Sequence, residues 1–459
     1  GSDSSRRRCI NSVRRAFGPF APARSVTAIF CSRIIFAINA VNFSSPVWPR
    51  GNVIRSNRFI AILLSLEAIC AIVCERSMNR HIIYPLNPAR EAAMPSNYDF
   101  AILGAGVAGV SAAYFLSKSA KVALIEREDS WGYHASGRSA AVFIEGYENP
   151  TVSELTLNSK NFFVEPNTDF NDYPIVKPLG GLTVVPADKL DQATIFLDQW
   201  RKFNPNMTLI DKSEALARVP IIREKALAAA IWDPNLLSID AHQLMQGLLH
   251  AFFANGGKLL CGREAKLQQQ PSKVWKIDAK DISITAPVLI NAAGAWANEV
   301  ALMADQKPLP LLPKRRTAAV IRMPDGAPHW PMLRTMDQQL YVKPEEPGLM
   351  LSPQDEKPST ALDAQPEELD LAIAMDRFHK LCDFNVSSIH RSWAGLRTLT
   401  PDRCPAVGFS NADENFFWLA GQGGAGIQTA PAIGRMTADI LINASKVDAR
   451  LDPCRFGRA

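Results

Sequence analysis

The feature that most constrains this chain is the spacing of three glycines. In YDFAILGAGVAGVSAAYFLSKSAKVALIERED (Tyr98–Asp129), Gly104, Gly106 and Gly109 form GxGxxG directly after the apolar run DFAIL. A buried parallel strand, a tight turn and a helix over 107–118 are predicted in that order. The first glycine permits the turn, the second lets backbone approach a pyrophosphate, and the third lets helix pack closely on strand. Val107 and Ala108 open the helix, whose positive N-terminus would face the phosphates. KVALIE then supplies a second strand ending at Glu126, twenty residues after Gly106, with Arg127 beside it. An acid there holds ribose hydroxyls and argues against a 2′-phosphate, so FAD or NAD is expected rather than NADP. GxGxxG alone is a weak signal. The strand, helix, second strand and acid in order make it specific.

Three later segments bear on the choice between FAD and NAD. GYHASGRSAA (Gly132–Ala141) follows the second strand, and its small residues with Arg138, Ser139 and Ala140 suit a pyrophosphate and a flavin edge. VLINAAGAWA (Val288–Ala297) is a buried strand that breaks into small residues, with Ala293, Gly294 and Trp296 at its end. FFWLAGQGGAGIQTAPAIGRMTADIL (Phe416–Leu441) reads as strand, glycine-rich turn and helix, with Gly424, Gly426 and Ile427 at the junction. A helix N-terminus there would stabilise negative charge on a reduced flavin. Each segment alone is an ordinary small-residue packing site. Together and in this order they resemble the D-amino-acid oxidase superfamily of FAD enzymes. GYHASGRSAA, NAAGAW, PKRRTA, WPML, LYVKP, WAGLRT and QGGAGIQT look most like its bacterial D-arginine dehydrogenase branch.

The resemblance implies an α/β fold with two domains. One is a Rossmann-like FAD-binding domain in separated pieces, 94–171, 238–308 and 392–459. The other is an α+β substrate domain with a large antiparallel sheet, 172–237 and 309–391. The strand-like runs GGLTVVPA, RRTAAVIRM and LYVKP, and the helical stretch LSIDAHQLMQGLLHAFFANGGKLL, agree with that division. It further implies oxidation of a D-amino acid to a 2-oxo acid and ammonia by hydride transfer from Cα to flavin N5. Electrons would pass on to an acceptor such as a quinone. The cofactor carries the difficult step, so the protein's task is orientation. By resemblance, Arg316 and Arg397 bind the substrate carboxylate, for which a guanidinium fork is well shaped. Tyr341 and Tyr147 close over the substrate, the Gly395 carbonyl receives the amine, and Gln428 lies beside the flavin. Arg315 competes with Arg316, since spacing alone does not separate neighbours.

The sequence departs from the arginine-specific pattern where a Glu should pair with a substrate guanidinium. Leu182 aligns there, and Val142 and Ile144 replace a polar pair. A buried guanidinium without an acid is costly, so neutral or hydrophobic D-amino acids are expected instead. His134 lies in the FAD loop and Cys404 beyond WAGLRT, but noncovalent FAD is expected. The same residues leave three alternatives open. These are a glycine- or sarcosine-type oxidase making peroxide, a hydroxy-acid or glycerol-phosphate dehydrogenase, and an electron-relay subunit of a larger amine dehydrogenase.

Charge is divided unevenly. Residues 1–93 hold 13 Arg, no Lys and 4 acids, so this stretch carries +9 of a chain whose total is +5. The remainder is mildly acidic, which removes any reason to expect nucleic-acid binding. The basic stretch reads as a transit peptide, a membrane anchor, a folded domain or non-native read-through ahead of Met94. The last, or a disordered leader, is the expectation. Its apolar run FIAILLSLEAICAIVC (Phe59–Cys74) contains Glu67 and is short for a spanning helix. A cytoplasmic protein, at most peripheral to the inner membrane face, is therefore expected. Eight scattered cysteines and seven histidines show no metal spacing, and no metal is expected.

Overall fold

A computed structural model of the protein describes residues 97–165, 174–324 and 326–457. The expectations for the leader fall outside the described residues. Strand β1 (Phe100–Leu103), helix α1 (Val107–Ser117) and strand β2 (Val122–Ile125) open the described chain. Both strands are buried on every residue, as parallel strands covered on two faces require. Helix α2 (Pro150–Val164) leads to a second sheet through β3 (Gly181–Val185), β4 (Thr208–Asp211) and β5 (Ala229–Asp233). Helix α3 (Ala241–Ala254) returns the chain to the first sheet as β6 (Lys258–Leu260) and β7 (Val288–Asn291).

The chain then re-enters the second sheet as β8 (Leu312–Arg322), β9 (Met332–Thr335), β10 (Tyr341–Glu345), β11 (Gly348–Ser352) and β12 (Lys357–Pro358). Helix α4 (Glu368–Leu381) covers that sheet, and β13 (Ile389–Leu399) pairs with β8. Strands β14 (Ala406–Phe409) and β15 (Phe416–Ala420) and helix α5 (Gly426–Asn443) complete the first sheet and its helical layer.

The first sheet runs β14-β15-β7-β1-β2-β6, parallel except at the β14–β15 edge. This is the Rossmann-like α/β layer expected for FAD. The second sheet has nine strands in the order β12-β8-β11-β10-β9-β3-β5-β4, with β13 on β8. It is mixed rather than purely antiparallel, because β3 and β9 pair in parallel over Gly181–Val184 and Met332–Thr335. Those strands come from different passes of the chain, so no hairpin dictates their direction. Among the described residues no helix is long and apolar enough to cross a membrane.

Helix α5 contains Pro431, which cannot supply a backbone N–H and disturbs the preceding turn. The neighbouring Ala432 N–H donates instead to Ser159 Oγ of α2 at 3.0 Å. Ser111 Oγ of α1 donates to Ala430 O at 2.7 Å. The three helices are thus joined by buried hydrogen bonds as well as by apolar contact.

Candidate active site

The β1–α1 turn is shaped by contact with the next strand. Gly104 has φ +102°, and a Cβ there would lie 2.5 Å from Ala292 O. A Cβ on Gly109 would overlap the Gly104 carbonyl, so only glycine allows α1 to start so close to β1. The turn borders a cavity of about 280 Å³. Gly104, Gly106, Val107 and Ala108 line it, with Glu126 and Arg127 at the end of β2. Arg138, Ser139 and Ala140 contribute from the 132–141 loop, and Ala293, Gly294 and Trp296 from the end of β7. Gly424, Gly426 and Ile427 line it at the start of α5, and Arg316, Tyr341, Gly395 and Arg397 from the second sheet. Gly109, Tyr147 and Gln428 stand behind this wall.

Most polar groups at the dinucleotide end are already held by the protein. Glu126 Oε2 accepts from Ala105 N–H at 2.7 Å and its Oε1 from Glu128 N–H at 2.9 Å. The carboxylate is thereby fixed at the strand end, with lone pairs left for a ribose diol. Ser136 Oγ accepts from Val107 N–H at 2.9 Å. Arg127 lies over the Trp296 ring, 4.6 Å from its centroid. Arg138 is no free cation. Its Nη1 donates to Ala364 O and Ala394 O at 3.0 Å each, and its Nη2 pairs with Asp363 at 2.5 Å. It locks the loop against β13, a structural task that its sequence position alone did not reveal. Neither α1 nor α5 has a side-chain cap from its N-cap residue, Gly106 or Ala425, and Ser136 takes only the Val107 N–H, so both helix N-termini border the cavity with N–H groups to spare. A glycine cradle, a fixed acid and two helix N-termini fit FAD.

The substrate end is built on the β8–β13 ribbon. Arg316 pairs in register with Gly395, and Lys314 with Arg397, which sets the two arginines on a diagonal. Arg315 points to the opposite face and joins Glu367 and, at 2.8 Å, Asp370 of α4. Strand alternation thus separates the two neighbours. Arg316 Nε donates to Asp355 O at 2.8 Å and Nη2 reaches Glu356 at 3.2 Å. Burial and the nearby Arg397 charge lower its pKa. Glu356 also pairs with Lys314 at 3.1 Å and Arg403 at 2.9 Å, so one carboxylate serves three cations. Arg397 has no hydrogen bond or ion pair among the described residues. Burial works against its charge, but Tyr147, Tyr341, Glu356 and Asp355 together raise its pKa. Its Nη1 and the Tyr147 hydroxyl converge on Gly424, where a Cβ would lie 2.9 and 2.7 Å from them. Gln428 accepts from Ile144 N–H at 2.9 Å through Oε1, and its Nε2 is buried without a partner.

One premise fails on geometry. Leu182 packs with Val184, Leu333 and Phe378 on the α4 side of the second sheet, away from Tyr341 and Met332. Its apolar side chain therefore says nothing about the substrate. The neighbouring Thr183 takes the other face. Ile144 and the half-buried Val142 do pack on the Tyr341 side. Ser136 lies in the 132–141 loop that the sequence singles out but is not named there, whereas Glu356 went unremarked and nothing in its local pattern marks it. His134 Nε2 is 2.9 Å from Glu128, and Cys404 is buried outside the cavity wall, its pKa raised by burial.

Comparison with known proteins agrees with this fold and with FAD as the cofactor. The family described as FAD dependent oxidoreductase (DAO) matches residues 99–440. Glycine oxidase of Geobacillus kaustophilus is 25% identical over 363 residues, covering 76% of this chain and 94% of that protein. Mitochondrial dimethylglycine dehydrogenase of Mus musculus is 23% identical over 411 residues, covering 81% of this chain. The match spans only 46% of that longer relative. Among solved structures, L-proline dehydrogenase from P. horikoshii has a TM-score of 0.69 at 23% identity, covering 79% of this chain and 98% of its own.

Proposed function

The chain belongs to the FAD dependent oxidoreductase family, and from that premise we propose that it oxidises the Cα–N bond of D-amino acids to give 2-oxo acids and ammonia. FAD, held noncovalently, supplies the two-electron acceptor at the reacting carbon. The observation that carries the proposal is Arg397, a half-buried guanidinium on the cavity wall that forms no ion pair among the described residues, beside a cation-rich cluster served by Glu356. A carboxylate is the missing anion. Arg397 binds it as a fork, and Arg316 adds a second donor set. Tyr147 and Tyr341 flank the bound acid, while the Gly395 carbonyl accepts from the amine and turns Cα toward the cofactor. Gln428 holds Ile144 in place. The substrate enters as the neutral amine and gives up the Cα hydrogen with its electron pair. Water then hydrolyses the resulting imino acid, adding its oxygen at Cα and releasing ammonia, so orientation is the chain's main contribution.

The D configuration rests on the likeness of GYHASGRSAA and WAGLRT to the D-arginine dehydrogenase branch. Similarity to glycine oxidase supports a second reading, a glycine-type oxidase that reduces oxygen to peroxide. We favour an external acceptor such as a quinone. The expectation of neutral side chains retains Ile144 and Val142 in its support but loses Leu182. The test is anaerobic bleaching of flavin absorbance with matched D- and L-amino acids and glycine, followed by a peroxide assay in air. Bleaching by D-amino acids with little peroxide is expected. Bleaching by glycine alone, with stoichiometric peroxide, would establish the second reading.

A further inference from the structure

The sheet face that carries Tyr341 also carries a third arginine. Register sets a row across four strands: Thr183 pairs with Arg334 between β3 and β9, Arg334 with Tyr341 between β9 and β10, and Tyr341 with Ser352 between β10 and β11. Facing residues on one side of an antiparallel pair stand about 5 Å apart at Cβ. Arg334 is therefore beside a residue that lines the cavity. Its Nε is buried without a hydrogen-bond partner, and so is Thr183 Oγ1. Asp233, the acid whose charge acts on Arg334, has its Oδ1 committed elsewhere. It accepts from Asn204 Nδ2 at 2.7 Å and from Asn235 N–H at 3.0 Å, and forms no ion pair with Arg334 among the described residues. Gly181 leaves room for the guanidinium, since a Cβ there would lie 3.5 Å from Arg334 Nη2.

A buried guanidinium nitrogen without an acceptor is costly. Here it lies with an unpaired hydroxyl on the face turned toward the site, and a ligand anion would satisfy both. We propose that Arg334 and Thr183 form a subsite for a second carboxylate, so that the substrate is a dicarboxylic amino acid rather than a neutral one. This rests on the reading that Arg397 and Arg316 take the α-carboxylate. Strand β9 lies three strands from β8, which carries Arg316, a separation of about 14 Å. With both side chains reaching inward, that spacing suits a dicarboxylate of about four or five carbons.

The experiment uses the FAD-bound protein and two readouts. In the first, flavin difference spectra follow titration with succinate and glutarate against butyrate and valerate. The dicarboxylates are expected to bind roughly tenfold tighter or better, and Arg334→Met to abolish that preference. In the second, D-aspartate and D-glutamate are compared with D-leucine and D-methionine. The acidic substrates should have the higher kcat/KM, and Arg334→Met should reverse the ratio mainly through KM. Equal binding of mono- and dicarboxylates together with a preference for D-leucine would overturn the subsite while leaving Cα–N oxidation intact. Tighter dicarboxylate binding with no amino acid bleaching the flavin would keep the subsite and defeat the oxidation reading. Should Arg334→Met fail to fold, the unmutated protein's paired ligand series decides the matter alone.

Discussion

The two ends of the cavity solve opposite problems. At the dinucleotide end the protein answers its own polar groups: Glu126 accepts two backbone N–H groups, and Arg138 donates to two carbonyls and Asp363. At the other end buried polar atoms are left over on Arg334, Thr183 and Gln428, and Arg397 forms no ion pair among the described residues. The first region is a finished mould that selects its occupant by shape and backbone. The second is an incomplete electrostatic assembly that an anion would finish. Mutations should therefore act on shape and stability at one end and on ligand binding at the other.

The sharpest way to break this contrast is Arg397→Met. Loss of about 3–5 kcal/mol is expected for removing one partner of a buried charge pair, which would lower kcat/KM by about a hundredfold or more. Flavin content, read from the absorbance ratio, should survive. A variant that instead lost flavin would show that Arg397 belongs to the mould. Gly109→Ala should do the reverse. Overlap with the Gly104 carbonyl is expected to cost about 3 kcal/mol and to release FAD. Gly106→Ala, which meets only Ser136 Oγ at 3.3 Å, should cost much less stability, yet it should still weaken FAD by placing a methyl group where the pyrophosphate approaches.

Ser159→Ala is a smaller perturbation. It strands the buried Ala432 N–H beside Pro431 and should cost about 1–3 kcal/mol in urea unfolding, with KM for amino acids unchanged.

The smallest effect concerns Arg315 and its partner. The Glu367 carboxyl is held at about 2, chiefly by its hydrogen bond to Arg315 and also by Lys357. Its pKa in the fold lies below the free value of 4.5, so it favours the fold above that pH. The contribution is lost as pH falls from 4.5 toward 2. Glu367→Gln should flatten that part of the acid-unfolding profile and leave kcat/KM within about twofold at neutral pH.

How much of this was legible follows from the range of the signals involved. The β1–α1–β2 unit is local, and its glycine spacing and terminal acid could be read directly. The α5 start was equally plain as a glycine-rich turn before a helix. Long-range facts were harder. Arg315 and Arg316 are adjacent in sequence and differ only in strand parity, which register with β13 settles. Leu182 was assigned to the substrate by alignment, although its parity with Val184 puts it on the helix-covered face. Arg334 shares the parity of Met332, so the signal for it existed once the inward face of β9 was known. Glu356 had no signal, because it gains its meaning only where Lys314, Arg316 and Arg403 meet. The parallel β3–β9 contact was likewise hidden, since it joins strands from separate passes of the chain.

The β8–β13 ribbon has a consequence for how such a protein can be altered. Arg316, Gly395 and Arg397 lie on two long strands paired residue by residue, so on the proposed reading backbone register would set the distance from acid-binding to amine-binding group. Thr183 and Arg334 lie on β3 and β9, elsewhere in the same sheet. On the proposed reading, recognition of the amino-acid head group and recognition of its side chain would be written on different strands. An engineer could vary positions 183 and 334 to change which amino acid is accepted without disturbing the register that presents its α-carbon.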